Sequence, residues 1–276
     1  MLLSFHNQHF ASIAPGEISL VRLRPGIKPK IVSREHSTCT SIAHNRHWEA
    51  EVVLLESLLS KSKAKLPLTV ILSNHLVRYK VLPAMPPLMP ASEVLNVARQ
   101  CFRDVYGDAV DSWSIRVNAL PHGDSVIASA IDEALFDTLK QMTSKLGVKL
   151  KSVQPFLMST FNRNRHQFSR KLNCFVQVER GRMVIALLKN GAWQSVTGAT
   201  APMNWMESLP SFINRQLLLA DWQNEPLDVM LSSVGPEEAI RISENPNWDM
   251  YRVLHPNCEE YVHLKDSPFS MALSPL

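Results

Sequence analysis

Glycine is scarce in this chain. Nine of 276 residues are glycine, about 3% against a usual ~7%. Loops that cradle phosphate are built from glycine, because the backbone must approach the ligand closely. A chain this poor in glycine is a poor candidate for nucleotide chemistry. Cysteine is also sparse: Cys39, Cys101, Cys174 and Cys258 lie far apart with no C-x-x-C pair. Nothing therefore marks a disulfide framework or a zinc ribbon, and a reducing compartment fits. Long apolar runs are missing too. Val52-Val53-Leu54-Leu55 falls far below the ~18 residues of a membrane span. Met1 to Phe10 lacks the basic and apolar regions of a secretory signal. Charge of one sign does not dominate, since 29 basic against 25 acidic residues leave +4. That is too weak to argue for nucleic acid.

A hydrophobic fraction of 45% fills a sizeable core, and 20% charged residues argue against wholesale disorder. Glu17 to Arg24 alternates apolar and polar with period two, the pattern of a half-buried strand. Phe10 to Ala14 precedes it, and Lys28 to Glu35 returns after Pro25-Gly26, which predicts an antiparallel meander. Trp48, Val52, Leu55 and Leu59 share one helical face. Leu68 to Leu72 is then a short continuous apolar run, the signature of a strand buried on both faces. Leu76 to Leu82 predicts a strand. Prolines 83, 86, 87 and 90 stiffen the connection to a helix capped by Ser92 and closed by Gly107. Strands are expected at Trp113 to Val117 and Ser125 to Ala130, and a helix from Asp132 to Leu146. A strand at Val148 to Val153 and a helix at Phe156 to Asn164 follow. A second meander covers Leu172 to Val178, Met183 to Leu188 and Ala192 to Val196, with Asn190-Gly191 as its hairpin signal. A helix at Asn204 to Ala220, a buried-type strand at Leu227 to Leu231 and a last strand at Met250 to Val253 complete the pattern. From Lys265 on, small residues and proline predict a loose tail.

Residues 10–72 and 172–231 thus share one order: three strands, a helix, a strand. This is the ribonuclease-H-like unit, repeated in architecture but not in letters. The fold expected is α/β and actin-like: two ribonuclease-H-like halves with a small ferredoxin-like α/β insertion in the first half. The expected divisions are 1–76 plus 148–166 for the first half, 77–147 for the insertion and 167–276 for the second half with its loose tail.

Leu72-Ser73-Asn74-His75-Leu76-Val77-Arg78-Tyr79, a following helix with Ala98-Arg99-Gln100-Cys101-Phe102 and Val105-Tyr106-Gly107, the run Gly147-Val148-Lys149-Leu150 leading to Ser152-Val153-Gln154-Pro155, and Phe161-Asn162 together resemble proteins of the PilM and GspL type. MshI-type pilus biogenesis proteins are similar. These are cytoplasmic, actin-like components of type IV pilus and type II secretion machines. The resemblance implies a noncatalytic scaffold, peripheral to the inner membrane through its partners. Those partners would be a PilN-like inner-membrane protein or a GspE-like secretion ATPase. From the run lengths, the charge and the scarce glycine, no membrane span, no nucleic acid and no cofactor are expected, and a homo-oligomer is left open. The docking residues expected are Asn74, His75, Arg78 and Tyr79, where a buried strand exits toward the insertion. Stitching the insertion to the main body by hydrogen bonds is the competing role for His75 and Arg78.

In ATP-binding relatives an aspartate-x-glycine turn joins the first two strands. Here Ala14 stands where the aspartate would be, and Gly16 is retained. The second half offers Glu179-Arg180-Gly181, whose charged side chains would crowd a phosphate. Ser232 to Pro236 lacks paired glycines. The alternative reading is an actin-like ATP-binding assembly protein with a divergent site. A sugar-kinase-type enzyme needs an aspartate near the start of the second half, and residues 165–180 contain none.

Other groupings carry less. Cys39, His44 and His47 lack a zinc spacing. His255 and Cys258 lack an orienting acid. Glu237-Glu238 and Asp104 with Asp108 do not lie on the first strands, where a ribonuclease-H-like nuclease holds its metal ions. Arg163, Arg165, Arg170 and Lys171 read as a solvated linker.

Overall fold

The protein is described from a computed structural model, which describes residues 7–24, 26, 29–39, 48–62, 64–86, 88–119, 126–168, 172–233, 248–252 and 268–276. The chain divides into two compact units. The first comprises residues 1–77, 131–163 and 255–276, and the second 78–130 and 164–254.

The first unit is built on a five-stranded sheet. Its strands are β1 (Gln8–Ala14), β2 (Glu17–Arg24), β3 (Lys30–Thr38), β4 (Leu68–Leu72) and β8 (Leu150–Pro155), in the order β3-β2-β1-β4-β8. β1 pairs antiparallel with β2 and parallel with β4. All five residues of β4 are buried, as its unbroken apolar run predicts. Helix α1 (Glu49–Lys61) packs on β1 and β2 through the stripe Val52, Leu55 and Leu59. Helix α3 (Glu133–Lys145) lies against α1 and β8. Asp132 caps it, its Oδ1 accepting from Ala134 N at 2.9 Å.

The second unit repeats the plan. Strands β9 (Leu172–Glu179), β10 (Arg182–Lys189), β11 (Ala192–Ala199), β12 (Leu227–Ser233) and β13 (Trp248–Arg252) follow the order β11-β10-β9-β12-β13. β9 pairs antiparallel with β10 and parallel with β12, as β1 pairs with β2 and β4. Asn190 and Gly191 both take positive φ, 53° and 80°, which the hairpin signal requires. Helix α5 (Trp205–Ala220) covers one face of this sheet, with Leu209, Ile213 and Leu217 against Met183, Ile185 and Leu187. β4 and β12 thus belong to separate sheets.

Residues 78–130 carry β5 (Arg78–Leu82), α2 (Ala91–Tyr106), β6 (Trp113–Ala119) and most of β7 (Val126–Asp132), whose last two residues fall in the first unit. The three strands form a sheet in the order β5-β7-β6. Phe102 and Ala98 of α2 are buried against Ile115 and Ala128. Three differences from expectation have physical causes. The insertion is smaller than 77–147, because α3 buries Leu135, Leu139 and Met142 in the first unit. It is therefore a three-stranded sheet with one helix, not a ferredoxin-like sandwich with two. Its partner is the second half, since β5 lies against β11. Pro90, not Ser92, stands at the N-cap of α2.

The third difference is the C-terminal segment, expected as a loose tail from Lys265 on. Residues 268–276 fold as turns onto the first sheet instead. Ala272 and Leu273 are buried with Phe10, Val21 and Leu23. Ser19 Oγ donates to Pro268 O at 2.7 Å, and the hydroxyls of Ser159 and Ser274 bond at 2.8 Å. Ser159 lies on α4 (Phe156–Asn164), whose bounds match the sequence reading. Phe269, Ala272, Leu273 and Leu276 supply the apolar contacts that hold it there.

Candidate functional site

Two turns and one side-chain cluster hold the polar groups that bear on function. The first turn joins β1 to β2. Gly16 takes φ +76°, a conformation that side chains rarely adopt. Its N–H donates to Glu51 Oε1 at 2.7 Å, and its carbonyl accepts from Cys39 N at 2.9 Å. Glu51 stands on α1 and is only 1% exposed. Burial raises the pKa of the Cys39 thiol, and the Glu51 carboxylate, which accepts its hydrogen bond, raises it further. This turn therefore closes on a carboxylate of its own chain. An anion-binding turn must offer its N–H to the ligand. Here that N–H is taken by Glu51. Sequence reasoning missed Glu51. The signal was present, because Trp48, Glu51, Leu55 and Leu58 share the buried stripe of α1.

The second turn joins β9 to β10. Gly181 takes φ +74°, and its carbonyl accepts from Ala201 N at 3.3 Å. Glu179 is buried and pairs in register with Arg182. At the first turn the Gly16 N–H is bonded to the chain's own Glu51, and at the second a buried Glu179 stands two residues before Gly181. Ser232 and Ser233 end β12, and residues 234–236 of the adjoining loop lie outside the described residues. So do His44, His47, Arg170, Lys171, Glu237, Glu238, His255 and Cys258. Among the described residues no group of three His, Cys, Asp or Glu side chains is placed to hold a metal ion.

The residues expected to dock a partner separate into two pairs. Asn74 and His75 lie in the first unit, just after β4. Asn74 is fully buried, and its Oδ1 accepts from Leu157 N at 3.3 Å, so it caps the N-terminus of α4. His75 N donates to Ser73 Oγ at 3.1 Å, which tightens the turn. Both bonds lie within the first unit and tie the end of β4 to α4 and to its own turn. Arg78 and Tyr79 lie in the second unit at the start of β5 and are half-buried. They gather with Arg182, Glu179 and Tyr106. Burial lowers the pKa of Arg182, the Arg78 charge lowers it further, and Glu179, Tyr106 and Tyr79 oppose that shift. The Arg182 head rests on Gly198 of β11: a Cβ built there would overlap Nη2 and stand 3.0 Å from Cζ. Tyr106 stacks edge-on against Trp113 at 5.0 Å between ring centroids. Arg182 was not foreseen, and the period-two alternation of β10 gave no reason to single it out.

A groove of about 440 Å³ runs between α1 and α3 in the first unit. Trp48, Val52 and Met142 line it, and Val53 is exposed beside it. Trp48 Nε1 donates to Asp132 Oδ2 at 3.0 Å, and Lys145 Nζ bridges to Glu56 Oε1 at 2.8 Å.

No protein-family model matches the chain, and no curated protein matches it. Solved structures do. The PilM–PilN type IV pilus biogenesis complex aligns at 12% identity over 98% of each chain, with a TM-score of 0.68. A Bacteroides thetaiotaomicron protein with an actin-like ATPase fold and unknown function aligns at 10% identity, covering 99% of this chain and 97% of its own, with a TM-score of 0.64. The cytoplasmic domain of EpsL, an inner-membrane component of the Vibrio cholerae type II secretion system, aligns at 13% identity over 90% of each chain, with a TM-score of 0.55. The chain has the α/β actin-like ATPase fold and is distantly similar to these proteins.

Proposed function

We propose that this protein is a noncatalytic, cytoplasmic scaffold of a type IV pilus or type II secretion assembly platform, docking the cytoplasmic segment of an inner-membrane partner. The observation that carries the reading is the bond from Gly16 N to Glu51 Oε1. The actin-like fold otherwise presents such a turn to phosphate, and here a buried side chain of the chain itself has taken the position. A fold of this kind without a phosphate turn retains its surfaces, and surfaces are what a scaffold uses. The likeness to a PilM–PilN complex and to an EpsL cytoplasmic domain supports the choice of partner class. Among the described residues no helix is long and apolar enough to cross a membrane, which is compatible with attachment through a partner. The docking residues are Arg78 and Tyr79. Arginine and tyrosine combine contact area with directed hydrogen bonds, as binding hot spots do.

Two measurements test this. The purified protein is mixed with inverted inner-membrane vesicles from the cells that make it, with protease-shaved vesicles as control. Sedimentation with intact vesicles only, reduced by Arg78→Ala or Tyr79→Ala, is expected. Thermal unfolding is then followed with and without Mg-ATP. A ligand of the folded state raises the midpoint once it exceeds its dissociation constant, and no rise is expected. A saturable, magnesium-dependent rise would replace the scaffold with an ATP-binding assembly protein.

A further inference from the structure

One end of the first unit collects positive charge from the elements that reach it. Strands β1, β4 and β8 run parallel and begin there, at Gln8, Leu68 and Leu150. β2 ends and β3 begins at the same end, where Arg24 pairs in register with Lys30. Helices α1 and α3 finish there too, since each leads into a strand that starts at this end. The Lys65 ammonium lies against Gly147, 3.0 Å from where a Cβ would stand. Lys149 O accepts from Leu68 N at 2.9 Å, and Lys151 Nζ donates to Gln8 Oε1 at 3.2 Å. Arg24, Lys30, Lys61, Lys65, Lys149 and Lys151 are all exposed. Five strands spaced ~4.8 Å apart spread them over roughly 20 Å.

Acids are missing from the same stretches of chain. Residues 18–34, 57–77 and 138–163 contain no aspartate or glutamate. Glu56 lies just outside them and is bridged to Lys145 at 2.8 Å. Helix dipoles account for Lys61 and Lys145, which stand in the last turns of α1 and α3. They do not account for Arg24, Lys30, Lys149 and Lys151, which stand on or beside strands. The whole chain carries only +4, so six cations at one end exceed its net charge and give the first unit a positive pole.

We infer that this pole rests on the anionic headgroups of a phospholipid bilayer. It adds a direct lipid contact to the partner docking proposed above and stands without it. Five of the six cations are lysine. A lysine ammonium is a compact charge without the planar fork with which arginine grips a single carboxylate or phosphate. The set therefore suits a broad anionic surface better than one bound group. Clusters of about four to eight basic residues are what an acidic leaflet attracts. The attraction reaches only about 10 Å at 0.1 M salt, so the pole orients a chain that its partner already holds and does not anchor it alone.

The test is sedimentation of the full chain with protein-free vesicles. One set is pure phosphatidylcholine, and the other is half phosphatidylglycerol. At about 0.01 M salt, where charges act over about 30 Å, the wild-type protein is expected to pellet with the anionic vesicles only. The triple change Lys65→Gln, Lys149→Gln and Lys151→Gln weakens retention roughly tenfold or more, with an unchanged thermal midpoint because these side chains are exposed. Arg116→Gln, Lys189→Gln and Arg215→Gln remove the same charge from exposed positions of the second unit and leave retention unaltered. The pole is overturned if anionic vesicles retain nothing, if phosphatidylcholine retains as much, or if the two triple variants weaken retention equally. A short duplex oligonucleotide that binds where anionic vesicles do not would replace the bilayer with nucleic acid. The partner-docking measurement belongs at about 0.1 M salt or above, where the lipid attraction is screened. Retention there on intact inner-membrane vesicles, with none on anionic vesicles at about 0.01 M, would keep the docking reading and remove the pole. The opposite pair of results would keep the pole and remove the docking reading.

Discussion

The Glu51 carboxylate and the Gly16 N–H stand 2.7 Å apart across 35 residues of chain, and their bond ties helix α1 to the β1–β2 turn. A buried donor that loses its acceptor costs about 1–3 kcal/mol. Glu51→Ala is therefore expected to lower unfolding stability by about that amount, while Glu51→Gln, which retains an amide oxygen as acceptor, loses less. Urea titration of both variants checks the order. Equal stability of the alanine variant and the wild type would sink it.

The same carboxylate holds the Cys39 thiol protonated, after burial as the larger cause. Glu51→Gln removes the charge, so the thiol pKa falls toward the ordinary cysteine range. In a background with Cys101 and Cys258 changed to serine, the alkaline midpoint of Cys39 alkylation should move to lower pH. Cys174 stays inert, because complete burial drives its pKa far upward.

His9 of β1 is 2% exposed, and burial, helped by the Arg22 charge, lowers its pKa to about 4 from 6.5. The folded state thus binds the proton less well than the unfolded chain. The linked stability is fully present above pH 6.5 and is lost as pH falls from there toward 4. The slope approaches about 1.4 kcal/mol per pH unit in that window. His9→Gln should flatten that slope in unfolding curves taken between pH 7 and pH 4.5. An unchanged slope would mean that other groups carry the dependence.

Asn74 caps α4 from outside the helix, through Leu157 N. Loss of a polar cap costs about 0.5–2 kcal/mol, so Asn74→Ala is expected to destabilise by that order. Asn74→Asp keeps the acceptor and should be milder. Neither change should alter sedimentation with inner-membrane vesicles, since Asn74 is fully buried in the first unit. A binding defect in a well-folded Asn74→Ala protein would restore the residue to the docking surface.

Leu273 packs with Phe10, Val21 and Leu23. Leu→Ala changes in cores cost about 2–5 kcal/mol, and Leu273→Ala should fall in that range by chemical denaturation. A loose tail would show no cost.

Period and run length carried most of the fold. The short apolar run at Leu68 to Leu72 became the buried strand β4, the apolar-rich stretch Leu227 to Leu231, which includes Asp228, became part of β12, and Asn190-Gly191 became the hairpin turn. What these signals do not contain is which neighbour an element chooses. The face of α3 that carries Leu135, Leu139 and Met142 reads the same whether it packs in an insertion or on α1. The C-terminal segment offers no periodicity, because turns fix its path. At the candidate site, Arg78 and Tyr79 were legible as polar residues on a strand leaving a buried core. Arg182 was not, because its significance depends on Gly198 of the neighbouring strand β11.

Residues 268–276 seal apolar side chains contributed by β1 and β2, which are translated well before them. On the ribosome, Phe10, Val21 and Leu23 must therefore wait, uncovered, while the entire second unit is made. The first unit is assembled from three separated stretches of chain, so no continuous N-terminal fragment contains all of it. Nascent or prematurely terminated chains would expose that apolar patch, and such a patch invites chaperone binding or self-association. Quality control would then sense whether translation had reached the residues that close the first sheet.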